Sequence, residues 1–165
     1  MNENRLSRLA DELTALLDQY VKLQTEIDKA QTRLAGCEPE TFDLYAVGGI
    51  LHDVYRGAEG ICRRIAKDFD QQLPIGESWH RLLLDQMTHP IPKARPPILQ
   101  ADTANALDEY RRFRHVVRNI YGLELNWPQM QPLLDNANAT IDAFAADIQK
   151  FIAFLRMMSD SDASR

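Results

Sequence analysis

The segment DEYRRFRHVVRNIYG, residues 108–122, concentrates basic side chains in a chain whose formal net charge is −5. Its basic residues are Arg111, Arg112, Arg114, His115 and Arg118. Arginine presents a planar fork of N–H donors that matches the oxygens of a phosphate. When the 2′-hydroxyl of RNA attacks the adjacent phosphate, negative charge builds there, and arginines can stabilise it. Histidine can take the hydroxyl proton near neutral pH. The segment therefore has the residue types for phosphate chemistry.

A helical projection of residues 102–122 separates apolar from basic side chains. The apolar side predicts the core face and holds Ala106, Tyr110, Phe113, Val116, Val117 and Ile120. The polar side and its borders hold Arg111, Arg114, His115, Arg118, Asn119 and Tyr121. We therefore predict that the basic groups form one patch that faces solvent or a partner.

A purely structural interpretation of the basic segment is also open. Cations near the C-terminus of a helix gain about 0.3–1 kcal/mol each from the helix dipole. Asp108 and Glu109 lie one turn before Arg112, at the spacing of helical ion pairs. A helix face with several arginines is often only a solvated surface. On this interpretation, Arg114→Ala would leave RNA affinity unchanged.

Composition limits where the chain can act and what it can bind. The 165 residues suit one domain with one core, and the net negative charge confines any nucleic-acid contact to a local basic patch. Cys37 and Cys62 fit neither a disulfide framework nor a zinc site, so we predict a reduced, cytoplasmic protein. No apolar run is long enough to span a membrane, and no motif for a metal or another cofactor is present. We expect no membrane partner, no metal and no cofactor.

Apolar spacing predicts an all-α, antiparallel four-helix bundle with an extra short helix and a proline-rich loop. The predicted helices cover residues 6–34, 42–69, 78–87 and 102–122, with Asp102 or Thr103 as the cap of the fourth, and a last helix that begins at Asn126. The loop THPIPKARPPILQ separates the short helix from the next long one. We predict one domain over residues 1–158 and a disordered tail over residues 159–165.

The first predicted helix carries a long apolar seam. The seam residues alternate spacings of three and four: Leu6, Leu9, Leu13, Leu16, Tyr20, Leu23, Ile27, Ala30 and Leu34. The seam runs for several heptads, which is longer than a small bundle needs to cover its own core. Its length therefore predicts a homodimer. The alternative is that the whole seam packs inside one protomer.

The run Arg114-His115-Val116-Val117-Arg118-Asn119-Ile120-Tyr121 resembles the signature of the HEPN superfamily in its HepT-like form. That signature is an arginine, a polar residue, three variable residues, a histidine, one variable residue and a tyrosine. The resemblance extends to DVYRGAEGICRRIAKDFDQQLPIGESWHRLLLDQM, to ARPPIL and to EYRRFRHVVRNIYGLELNW, so it covers most of the chain. The chain is thus similar to the ribonuclease toxins of this group, and this similarity also implies a helical bundle.

The resemblance implies an activity, partners and residue roles. Proteins of this kind are toxins of toxin–antitoxin pairs, dimerise around one cleft and cleave RNA, such as tRNA or mRNA, without a metal. Their partner is a minimal nucleotidyltransferase (MNT-type) antitoxin, which in some pairs adenylylates the motif tyrosine. Carried over, Arg114 stabilises the phosphate, His115 supports it, Arg111 and Arg118 bind RNA, and Tyr121 is the modification site.

Asn119 departs from the signature, because it occupies the position of the usual histidine. An amide cannot take a proton at neutral pH, although it can position a substrate. Three explanations follow: His115 serves as the base, the arginines alone give weak cleavage, or the chain only binds. The sequence thus predicts a metal-independent endoribonuclease, with a catalytically silent module that binds RNA or a nucleotidyltransferase as the alternative. His80, which follows Trp79 on the short helix, could lie near the cleft, but the sequence favours a surface histidine beside an anchoring tryptophan.

Overall fold

Helices make up the regular structure of the part of the chain that the structure describes. The structure is a computed structural model that describes residues 3–119 and 125–163, with side chains for residues 4–114 and 125–161. Within these residues lie α1 (Glu3–Val21), α2 (Leu23–Leu34), α3 (Thr41–Asp68), α4 (Trp79–Thr88), α5 (Ala101–Asn119) and α6 (Trp127–Ala163). The same residues contain no strand. The predicted all-α fold is therefore confirmed.

Side-chain contacts between helices establish their antiparallel order. Thr103 Oγ1 donates to Asp147 Oδ2 at 2.8 Å, and the Tyr110 hydroxyl donates to the carbonyl of Leu133 at 2.8 Å. Residue numbers therefore rise along α5 while they fall along α6. The same reversal relates α2 to α6 and α1 to α3. All six helices contribute to one cluster of buried apolar residues, as expected for a bundle.

The apolar seam of the N-terminal segment packs mostly inside the protomer. Most of its residues are buried, whereas Leu16 is 41% exposed. The predicted single helix is divided at Lys22 into α1 and α2, although Lys22 keeps right-handed helical angles (φ −63°, ψ −20°). The amide of Thr25 donates to the carbonyl of Lys22 at 3.1 Å, which is the tighter bonding of a 3₁₀ turn. Because the seam is buried within one chain, it gives no support to a dimer, and the dimer stays a prediction.

Gly57 allows α1 to approach α3 closely. A Cβ at Gly57 would collide with the ring of Tyr20. The Tyr20 hydroxyl donates to the carbonyl of Val54 at 2.9 Å, so the ring is held in this position. The ring also meets Phe144 edge to face, with centroids 5.4 Å apart. The absence of a side chain at Gly57 therefore serves the close packing of α1 against α3.

The proline-rich loop is organised around the side chain of Arg95. Its Nε and Nη2 donate to the two carboxylate oxygens of Asp70, each at 2.7 Å, and both side chains are fully buried. The remaining contacts go to the backbone carbonyls of His89 at 2.9 Å, Pro96 at 3.2 Å and Gln86 at 3.2 Å. A buried ion pair is tolerated only when its hydrogen-bonding groups are satisfied in this way. The loop thereby fixes the end of α4 against α3.

The predicted start of α5 differs from the structure. α5 begins at Ala101, so neither Asp102 nor Thr103 is its cap. Instead Asp147 of α6 accepts hydrogen bonds from the amide of Gln100 at 2.9 Å and from Thr103 at 2.8 Å. A carboxylate at this end of a helix satisfies free N–H groups and complements the helix dipole. The predicted end of this helix at Gly122 lies outside the described residues.

The C-terminal segment also differs from its prediction as a disordered tail. α6 continues to Ala163, and Ser159 is buried. Met158, just before the predicted tail, packs against the core. This apolar contact supports the final turns of α6, although the composition of residues 159–165 is polar. Residues 164–165 lie outside the described part of the chain.

Candidate functional site

Arg114 lies between helices rather than on an open solvent face, which corrects the prediction from the helical projection. Its side chain is 20% exposed, and its Nη1 lies 3.3 Å from Glu59 Oε2 on α3. The Glu59 side chain is 9% exposed. A carboxylate buried to this extent requires hydrogen bonds or a cation. Arg114 therefore turns toward α3, a contact that the projection of a single helix cannot reveal.

His80 of α4 completes a cluster with Glu59 and Arg114. Its Nδ1 lies 2.7 Å from Glu59 Oε2. Arg114 Nη1 lies 3.3 Å from His80 Nδ1 and 3.2 Å from His80 Nε2, so the guanidinium rests against the imidazole. Because an ionised carboxylate only accepts hydrogen bonds, we assign the hydrogen to Nδ1. In the neutral imidazole, Nε2 then carries the lone pair.

Aromatic rings hold the imidazole of His80 in place. The ring of Trp79 stacks on it, with centroids 3.6 Å apart and an angle of 29° between the planes. The guanidinium carbon of Arg63 lies 5.1 Å from the centroid of the Trp79 ring, within cation–π range. Tyr55 packs edge-on to His80 at 6.1 Å, and its ring centroid lies 5.9 Å from the guanidinium carbon of Arg114. The orientation of His80 therefore depends on packing as well as on Glu59.

The electrostatic environment favours the neutral form of His80. Burial lowers the pKa of this imidazole below its ordinary value of 6.5, and the positive charges of Arg114 and Arg111 lower it further. The charge of Glu59 and its hydrogen bond to His80 act in the opposite direction, but the net shift of the pKa is downward. Near pH 7 the imidazole is therefore mostly neutral and able to accept a proton.

Two adjoining cavities open beside this cluster. One, of about 270 Å³, is lined by residues 76–81 and by Arg111 and Arg114. The second, of about 540 Å³, lies between α4 and α5 and includes Arg112 and Asn105 in its lining. Arg81 and Arg111 line both cavities. They form what we call the α4–α5 groove, along which a phosphate-containing ligand would meet several guanidinium groups.

Arg111 and Arg112 are partly neutralised by acids on their own helix. Arg111 Nε lies 2.6 Å from Asp108 Oδ1, while Arg112 donates to Asp108 at 3.0 Å and to Glu109 at 2.9 Å. Burial would raise the pKa of Asp108, but the hydrogen bond and charge of Arg111, with those of Arg112, lower it overall. The predicted helical ion pairs are confirmed, so a structural role explains part of the basic segment.

The other predicted site residues have no described side chains. His115, Arg118 and Asn119 belong to the backbone of α5, but their side chains lie outside the described residues. Tyr121 lies outside them altogether. Of the predicted residues, the structure therefore places Arg111 and Arg114 together at the α4–α5 groove and leaves the other four as predictions.

The described residues contain no group of three or more His, Cys, Asp or Glu side chains placed to hold a metal ion. Among the helices of the same residues, none is long and apolar enough to cross a membrane.

Sequence reasoning missed Glu59 and misinterpreted His80. Glu59 lies on the apolar stripe of α3, between Tyr55 and Cys62 at helical spacings of four and three. A carboxylate on a buried stripe is a signal, because it must find a cation or a donor. His80 carried no such signal, since Trp79 beside it suggested an anchored surface residue. Only the fold brings α4 against Glu59.

One of three comparisons with known proteins identifies the family of this chain. The model of one protein family, described as HepT-like protein, matches residues 46–155. The matched range includes Glu59, His80 and Arg114 as well as the basic segment of α5. The search of curated proteins gave no match, and the search of solved structures gave none. The family match spans most of the chain and accords with its helical bundle. This chain belongs to the HepT-like proteins of the HEPN superfamily.

Proposed function

We propose that the chain is a metal-independent endoribonuclease that acts as the toxin of a toxin–antitoxin pair. One observation carries the proposal: Arg114 lies beside His80 at a cavity that other arginines also line. The Nε of Arg114 is buried and has no hydrogen-bond partner among the described residues, so Glu59 and His80 do not satisfy the whole guanidinium. An arginine that lines a cavity is suited to a ligand that carries phosphate.

The reaction that suits these residues is attack by a ribose 2′-hydroxyl on the adjacent phosphate. Arg114 binds the phosphate and stabilises the charge that develops on its oxygens. Arg111 lines the same cavity and adds positive charge. A base takes the hydroxyl proton, and the 5′ oxygen leaves with a proton from water. The products are a 2′,3′-cyclic phosphate and a 5′-hydroxyl.

The proposed partners follow from the family and from the charge distribution. The net charge of −5 disfavours general binding of RNA, so RNA enters through the α4–α5 groove. A nucleotidyltransferase (MNT-type) antitoxin pairs with the chain and has Tyr121 as its modification target. Two protomers associate as a homodimer and bring their motif helices to one cleft. The complex acts in the cytoplasm.

A silent binding module is the second candidate function. Asn119 favours it, since the usual motif histidine is absent. In that case Arg114 and the α4–α5 groove bind RNA or a nucleotidyltransferase, and no bond is broken.

Cleavage of total cellular RNA and tRNA in EDTA tests the proposal. Wild type is compared with Arg114→Ala and with Arg8→Ala, which removes an arginine that is 70% exposed on α1. We expect wild type and Arg8→Ala to cleave at similar rates and Arg114→Ala to lose cleavage. Absence of cleavage in every sample, with RNA binding lost only in Arg114→Ala, would identify a binding module. Equal RNA binding by all three without cleavage would leave only the structural interpretation.

A further inference from the structure

The proposed function requires a base for the 2′-hydroxyl proton, and the motif does not supply one at Asn119. We infer that His80 is this base and that Glu59 holds it in the reactive orientation. The inference rests on the proposed ribonuclease function. It assigns the proton transfer to α4, outside the motif segment, and to a histidine that the sequence favoured as a surface residue.

The geometry places His80 next to the group that binds phosphate. Its Nε2 lies 3.2 Å from Nη1 of Arg114, and both residues line the cavity of about 270 Å³. In RNA, the attacking 2′-hydroxyl and the scissile phosphate are attached to neighbouring carbons of one ribose, C2′ and C3′. A phosphate bound by Arg114 would therefore bring the 2′-hydroxyl close to Nε2 of His80.

Glu59 prepares His80 for this role. Because Glu59 accepts the hydrogen of Nδ1 at 2.7 Å, the lone pair of the neutral imidazole lies on Nε2. The carboxylate also stabilises the imidazolium that forms when the proton arrives, as a carboxylate does for histidine in serine hydrolases. Glu59 is thus a positioning residue, and Trp79, stacked on the imidazole, is another.

Binding of phosphate would free His80 for the reaction. Before binding, Arg114 Nη1 contacts Glu59 at 3.3 Å and both ring nitrogens of His80. A phosphate oxygen is a stronger acceptor for a guanidinium than a neutral imidazole nitrogen is. Once Arg114 donates to phosphate, Nε2 of His80 becomes available to the hydroxyl. The change of hydrogen-bond partner by Arg114 thus couples phosphate binding to exposure of Nε2 of His80.

The 2′ oxygen gives its proton to Nε2 of His80 and forms a bond to phosphorus with an oxygen electron pair. The bond between phosphorus and the 5′ oxygen breaks, and that oxygen keeps the bonding pair and takes a proton from water. His80 later returns its proton to solvent. No electron transfer and no other reactant are needed.

The groups around His80 determine how the rate should depend on pH. Glu59 faces it from α3, and Arg111 and Arg114 face it from α5. Three further charged residues lie nearby: Arg63 behind Trp79, and Glu77 and Arg81 in the lining of the same cavity. Burial and the arginines lower the pKa of His80 more than Glu59 raises it. The rate should therefore rise with pH, with a midpoint below 6.5, as the imidazole loses its proton.

The first arm of the test compares two histidine variants of α4 and its end. His80→Gln keeps a hydrogen-bonding side chain but cannot take a proton, and His89→Gln is the control at an exposed histidine. Single-turnover cleavage of tRNA is measured in EDTA, and circular dichroism checks that both variants are folded. A general base contributes about 100- to 10,000-fold to a rate. We expect a loss of this order in His80→Gln and a rate within about twofold of wild type in His89→Gln.

The second arm separates chemistry from structure. His80→Ala leaves space beside Trp79, and added imidazole should restore part of its cleavage in proportion to the concentration of the neutral base. The wild-type pH profile needs no variant and should show the limb below pH 6.5. In His80→Gln this limb should disappear.

The outcomes distinguish the inference from the proposed function. Wild-type cleavage, a large loss in His80→Gln and rescue by imidazole support both. Wild-type cleavage with His80→Gln as active as His89→Gln overturns the inference and leaves the ribonuclease in place. A wild-type profile without a limb below pH 6.5 also overturns the role of His80. Absence of wild-type cleavage in EDTA overturns the function, and the inference with it.

Discussion

Arg95 pairs with Asp70, just after α3, and Arg114 pairs with Glu59 of α3. The surroundings of the two pairs differ. Arg95 and Asp70 are fully buried, and the remaining N–H groups of Arg95 reach backbone carbonyls. Arg114 is 20% exposed, lies 3.3 Å from Glu59 and has no partner for Nε among the described residues. The first pair uses the whole guanidinium for the fold. The second pair lies beside a cavity and a histidine, and the guanidinium is not fully hydrogen-bonded.

Burial and hydrogen bonding, rather than residue type, distinguish the structural arginine from the candidate site arginine. A buried pair is held by complete hydrogen bonding, and removal of one partner leaves a buried charge. A pair at a cavity can exchange its partner for a ligand. Substitutions at the two pairs should therefore affect different properties: stability at Arg95, and RNA cleavage at Arg114.

Arg95→Ala should have the largest effect on folding. It leaves Asp70 buried without its cation, which costs about 3–5 kcal/mol of unfolding free energy. Urea unfolding followed by circular dichroism measures the loss. The double variant Arg95→Met with Asp70→Leu should recover only part of it. The apolar pair removes the unpaired buried charge but leaves the carbonyls of Gln86, His89 and Pro96 without their donor. A loss below about 1 kcal/mol in Arg95→Ala would remove the structural half of the comparison.

Arg114→Ala should lower cleavage about 100- to 1,000-fold, the effect of removing one donor to a developing oxyanion. Its unfolding free energy should fall by only about 1 kcal/mol, because Glu59 keeps its contact with His80 and the site is partly exposed. Single-turnover cleavage and urea unfolding are measured on the same preparation. A loss of unfolding free energy as large as that expected for Arg95→Ala would make Arg114 a structural residue too.

Glu59→Gln should separate RNA binding from cleavage. The substitution removes the charge that competes with phosphate for Arg114, so RNA affinity should stay equal or rise. Cleavage should fall more than about tenfold, because the imidazole loses the carboxylate that orients it. Fluorescence anisotropy gives the affinity, and cleavage in EDTA gives the rate. A fall of both in parallel would indicate general disruption of the site.

Asn119→His should have the smallest effect. If His80 supplies the base, a histidine at the motif position adds little, and cleavage should stay within about threefold of wild type. The same single-turnover assay measures it. A gain of more than about 100-fold would favour a natural chain that is silent, with its base lost at Asn119.

The sequence predicted the helices well because their apolar periods and proline boundaries are local. α3 and α4 begin and end within a residue or two of their predicted positions. The start of α5 was missed because the amide of Gln100, just before the helix, and the hydroxyl of Thr103 donate to Asp147 on α6, far along the chain. The division at Lys22 has no residue signal such as proline or glycine beside it.

The candidate site shows the same limit. The arginines of α5 were identified from their types, and the ion pairs of Asp108 with Arg111 and Arg112 follow from helical spacing. The partners of Arg114 lie 55 and 34 positions away in sequence, on two other helices. Local patterns reveal which groups could do chemistry, whereas tertiary packing determines which of them meet.

The chemical ends of the cleaved RNA test the central claim most directly. A tRNA is incubated with the protein in EDTA, and the fragments are analysed by mass spectrometry, with Arg114→Ala as the control. The account predicts 2′,3′-cyclic phosphate and 5′-hydroxyl ends in the wild-type reaction and none with Arg114→Ala. Fragments with 3′-hydroxyl and 5′-phosphate ends, or equal cleavage by Arg114→Ala, would contradict attack by the 2′-hydroxyl at this site.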